Sequence, residues 1–143
     1  MKKIVLVFMF VFVIFFAYSQ QNLLKDYKDF CKLYVKTMNE FIDSLKPVKT
    51  SAEIIKAFDN FSKNASELEK KAVEIEKKYT DKDASLQILA NDKEFAQLSE
   101  KISLVTNDYA NEILKKIDLL QDEAVQLAMQ KVNDEMEKLK ITE

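Results

Sequence analysis

The sequence of 143 residues contains no glycine, no histidine and no tryptophan, with one proline and one cysteine. All 22 of its basic residues are lysine, so arginine is missing as well. Average usage of about 7% glycine and about 5% proline would give roughly ten and seven of them in a chain this long. Each absence excludes a chemistry. Phosphate-cradling loops and dinucleotide-binding turns need backbone conformations or close approaches that a Cβ forbids. Without histidine there is no Ser–His–Asp triad, no histidine-ligated zinc or haem, and no imidazole proton shuttle. The tight primed turns of β-hairpins also depend on glycine. What remains is an all-α chain expected to work by its surfaces, with no catalytic, cofactor-binding or metal-binding residues to assign.

The long hydrophobic run lies at the N-terminus. Met1-Lys2-Lys3 precedes an unbroken apolar stretch from Ile4 to Tyr18, and Ala17-Tyr18-Ser19 places small residues at −3 and −1 before Gln20. This is the layout of a secretory signal peptide cleaved near Ser19-Gln20. A permanent span needs about 20 apolar residues, which makes an uncleaved anchor the second reading of the run. Lysine without arginine fits an AT-rich bacterial genome, so the periplasm or the exterior is the expected destination. The expected division is a signal peptide over 1–19 and one helical-bundle domain over 20–143.

Losing residues 1–19 removes two lysines and no acid, which takes the formal charge from −2 to −4. A mildly acidic surface of mixed sign excludes a nucleic-acid partner, which demands concentrated positive charge. It also excludes a dedicated binder of anionic lipid, so the membrane enters only through the signal segment if that is kept. The single cysteine, Cys31, leaves no internal disulfide and falls on an apolar seam as a small hydrophobe, with an intermolecular disulfide as the alternative.

The body reads as heptad helices. Leu24, Tyr27, Cys31, Tyr34, Met38, Phe41 and Leu45 alternate steps of three and four, the 3.5-residue period of a coiled-coil-like seam. Leu23, Phe30 and Ile42 widen the stripe, and Pro47 ends the first helix, expected over 22–46. Thr50-Ser51-Ala52-Glu53 forms a capping box opening a second helix over 51–79. Its seam is Ile54, Phe58, Phe61, Ala65, Leu68, Ala72, Ile75 and Tyr79, and Glu74 and Lys78 stand at i,i+4 on the wet face. Thr80-Asp81-Lys82-Asp83 reads as a loop, Ala84 to Ala90 as a turn or two of helix, and Asn91-Asp92 as a break or cap.

From Asp92 to Lys140 no breaker occurs, so a third helix is expected over 92–140. The expected fold is therefore an antiparallel bundle of three long helices, or four if the last breaks near Asn107. Phe95, Leu98, Ile102, Val105 and Tyr109 keep the alternation, then the pattern drifts through Ile113, Ile117, Leu120, Ala124, Ala128, Val132, Met136 and Leu139. From Leu98 to Leu139 the mean step is about 3.7 residues, the signature of a straight helix whose seam rotates. A helix that long outgrows its neighbours beyond Leu120. Val125, Met129, Val132, Met136 and Leu139 would then lack an intrachain partner and form an interaction surface.

Weaker patterns compete with this one. Asp81, Asp83, Ser85 and Asp92 imitate a calcium loop, but Leu86 stands where the sharp turn needs glycine and Asp92 where a bidentate Glu belongs. The sequons Asn60-Phe61-Ser62 and Asn64-Ala65-Ser66 carry no weight inside a helix of a bacterial protein. The seam aromatics Phe30, Phe41, Phe58, Phe61 and Phe95 would either fill the core or line a cavity for a lipid or other apolar ligand. The overall pattern resembles small exported helical-bundle proteins, coiled-coil holdase chaperones of the bacterial envelope among them. The likeness covers pattern and no motif. The functional expectation is an exported non-enzymatic protein acting through a protein partner or self-association, in a chaperone-like or structural role, with the apolar-ligand bundle as alternative.

Overall fold

A computed structural model of the chain describes the backbone of residues 2–138 and the side chains of 20–81 and 83–134. Every regular element among the described residues is helical: α1 (Lys2–Leu45), α2 (Ser51–Lys78), α3 (Lys82–Ala90), α4 (Lys93–Leu114) and α5 (Glu123–Lys138). The apolar run Ile4–Tyr18 and its expected cleavage site fall within α1, but the side chains of 1–19 lie outside the described residues. Among the described residues no helix is long and apolar enough to cross a membrane.

Local sequence explains the helix ends. α1 stops at Leu45, two residues before Pro47. At the start of α2, Thr50 Oγ1 accepts the Glu53 N–H at 3.3 Å, and the Glu53 carboxylate accepts the Thr50 and Lys49 N–H groups at 3.1 and 2.9 Å. These backbone bonds hold Glu53 below its ordinary pKa. α3 and α4 begin on aspartate caps: Asp81 accepts from Ala84 N–H and Asp92 from Phe95 N–H.

α1 descends and α2 returns beside it. α4 descends along α1 in parallel, pinned near its start by Lys28 to Asp92 and Glu94 (3.0 and 2.9 Å) and near its end by Lys116 Nζ to the Val48 carbonyl (2.8 Å). α5 then turns back along α2. Two cores result. The lower joins all four long helices through Met38, Phe41, Leu45, Ile54, Phe58, Phe61, Val105, Val125 and Val132. The upper joins α1, α2 and α4 to the short α3 through Leu23, Phe30, Cys31, Leu68, Ile75, Leu89 and Leu98. α5 and α3 thus cover different lengths of the bundle.

The expected third helix over 92–140 is two helices. The chain does fold back into a four-helix arrangement, but not near Asn107, which lies inside α4; the break spans residues 115–122. Folding back buries the apolar face of α5 against α2, a gain no projecting helix could make in water. The overhang disappears with it.

Candidate functional site

The surface expected from the sequence is turned inward. Val125 and Val132 are fully buried and Met129 is partly buried against the lower core, while the side chains of Met136 and Leu139 lie outside the described residues. Val125, Met129 and Val132 pack into the lower core they share with α2 of their own chain. The physical reason is the elbow between α4 and α5.

That elbow is built without glycine or proline. The N–H groups of Lys116, Ile117 and Leu119 donate to the carbonyls three residues back (Ile113, Leu114 and Lys116), which tightens the helix into a 3-10 turn at Leu119–Gln121. Asp122 then turns extended (φ −71°, ψ 125°) and its Oδ1 accepts the Ala124 N–H at 2.9 Å, opening α5. Lys116 Nζ reaches back to the carbonyls of Lys46 (3.3 Å) and Val48 (2.8 Å), which the end of α1 leaves without helical donors. Glu112 faces the same point from the buried side of α4, with Lys115 at 2.9 Å and Lys116 at 3.9 Å. Outward from the elbow stand Leu114 (61% exposed) and Ile117 (55%). Leu104 on α4 and Leu127 on α5 are also exposed. Ile117 went unread as surface because it sits in the drifting stripe that looks like a continuous seam, whereas Leu127 lies on the segment expected to project.

Several polar side chains make structural contacts. Asp81 and Asp92, two oxygens of the calcium-loop imitation, cap α3 and α4, and Ser85 donates to the Asp81 carbonyl at 2.8 Å. No group of three or more acidic or cysteine side chains among the described residues is arranged to hold a metal ion. Across α1 and α2, Lys78 Nζ and Tyr79 Oη donate to Asp26 at 2.6 and 2.7 Å. Burial alone would raise Asp26, but these two bonds outweigh it and hold the carboxyl below its ordinary value. Backbone donation from Phe95 and the ammonium of Lys28 lower Asp92, and Lys32 and Lys28 lower Glu94. Burial pushes the Cys31 thiol up to about 11, which makes it an inert core group. It pushes Tyr109 up to about 12. No buried side-chain N or O atom among the described residues lacks a hydrogen-bond partner.

The seam aromatics pack on one another. Phe41 stacks on Phe61 (4.3 Å between centroids), meets the edge of Phe58 (6.0 Å) and lies 5.4 Å from Tyr109. Open depressions of about 190, 340 and 460 Å³ run along α1, and none is lined by a phenylalanine. No known family, curated protein or solved structure matches the chain.

Proposed function

We propose that the chain is an exported, non-enzymatic helical protein of the bacterial envelope that acts by binding another protein through the elbow between α4 and α5. The observation that carries this reading is the exposure of Leu114 and Ile117, three residues apart on a turn whose apolar neighbours Ile113, Leu119 and Leu120 pack against the lower core. Exposed apolar side chains that cluster mark contact surfaces more often than those scattered singly. Lys116 supports the reading by tying the turn to the α1–α2 connection in the bent monomer. A chaperone-like or structural role in the envelope is the form we assign to such contact. Export rests on Met1-Lys2-Lys3, the apolar run to Tyr18 and the small residues at 17 and 19.

A photo-crosslinking residue at Leu114 or Ile117, expressed in the native cell, tests the contact. Discrete adducts are expected there and not from the exposed Lys70 on α2. Equal labelling from both positions, or none from the elbow, would sink the reading. The Leu114→Ser, Ile117→Ser double variant is expected to lose the adduct partner while unfolding at an unchanged urea midpoint.

A further inference from the structure

The elbow is a bend made from helix-compatible parts. Lys115 (φ −67°, ψ −15°) and Asp118 (φ −66°, ψ −34°) hold right-handed helical backbone, and Asp122 is the residue that turns extended. The Leu120 N–H already reaches the Lys116 carbonyl at 3.2 Å, the α-helical register. Neither glycine nor proline interrupts Lys93 to Lys138. A rotation about ψ of Asp122, with the three-residue bonds relaxing to four, therefore yields one helix of about 69 Å. Straightening carries α5 off α2. It bares Val125, Ala128 and Val132 on one side and Phe58, Phe61 and Ala65 on the other, faces shaped for each other.

We propose that the chain exchanges α5 with a second copy of itself, the elbow serving as the hinge of a domain-swapped dimer. In the exchanged form every contact between α5 and α2 is remade between chains. The bent monomer and the swapped dimer then differ only in the elbow and in the entropy of association. Lys116 biases the balance toward the monomer, because its bonds to the Lys46 and Val48 carbonyls belong to the bent geometry. The occupant of the α2 face is thus α5 in both forms. The proposal is independent of a partner at Leu114 and Ile117, since it requires no other protein.

The test refolds the full chain from urea at micromolar and at millimolar concentration, followed by size exclusion with light scattering. Refolding at high concentration is expected to give a dimer that dissociates slowly on dilution. Lys116→Met with Asp122→Ala, which removes the lysine bonds and the α5 cap, is expected to raise the dimer fraction about tenfold. Asp122→Pro keeps the elbow's φ, gives up the Asp122 N–H bond to the Leu119 carbonyl, and breaks a straight helix, so it is expected to abolish the dimer while the monomer still folds. Spin labels at Glu100→Cys and Lys131→Cys, in a Cys31→Ser background, separate swapping from surface association. With labelled chain diluted into unlabelled chain, a swapped dimer gives an intrachain distance of about 46 Å. The bent form gives less than about 25 Å. A chain that refolds only to monomer at millimolar concentration overturns the proposal, as does a dimer that keeps the short distance.

Discussion

Asp122 stands where the backbone leaves the helical region, and its carboxylate takes the N–H of Ala124. Asp81, Asp92 and Thr50 do the same work at three other helix starts. Replacing Asp122 by Ala is expected to lower stability by about 1 kcal/mol, read as a shifted urea midpoint at constant slope. Acidification acts at the same scale. Asp26, Asp92, Glu94 and Glu53 all sit below their ordinary values when folded, so their stabilisation is present above pH ~4 and lost as pH falls through and below it. The melting temperature is expected to drop steadily from pH 5 toward pH 2, and less steeply for Asp26→Asn. Tyr109 works in the opposite direction. Its raised pKa gives stability that is complete below pH ~10 and disappears toward pH 12. Cys31, with its thiol near 11 rather than 9, is expected to alkylate at pH 8 roughly a hundredfold more slowly in the native chain than in urea.

At the scale of elements, α2 and the end of α1 before Pro47 were legible in the sequence, but the start of α1 was not. The helix expected from residue 22 begins at Lys2, because the apolar run before Asn22 continues the same backbone. Every seam position from Ile54 to Ile75 is buried, and α2 runs from Ser51 to Lys78 against an expected 51–79. The heptad steps report that face directly, because a seam packed on one neighbour keeps a constant phase. Phe61, stacked on Phe41 and 2% exposed, is expected to cost about 3–5 kcal/mol when cut to Ala, whereas Leu127→Ala on the outside should change stability by less than about 0.5 kcal/mol. The last third of the chain was misread. Its apparent step near 3.7 averages two seams of three-four spacing, one through Leu98, Val105 and Glu112 and another through Val125, Ala128 and Val132. Between them, Ile117 and Ala124 are exposed and belong to neither. A drift in period can mean a rotating seam or a break, and only Asp122-Glu123, a weak start signal, favoured the break. Buried Glu112 also hid the site, because a carboxylate in a seam reads as its interruption.

At the scale of the whole molecule, the lower core closes only because α5 returns, while α3 caps the upper core with Leu89. Export is tested here too: the intact mass of protein recovered from the expressing cell is expected to lack residues 1–19, and an unshortened chain in the membrane fraction would count against cleavage. The sequence by itself determined the helical class, the C-terminal end of α1 and both ends of α2, since composition, caps and heptad phase are local properties. Only the tertiary structure decided whether the last segment projects or folds back. Both forms satisfy the same local preferences, and the choice rests on burying Val125 and Val132 against Phe58 and Phe61 about 60 to 80 residues earlier in the chain. That choice moved the candidate surface from the inner face of α5 to the elbow at Leu114 and Ile117.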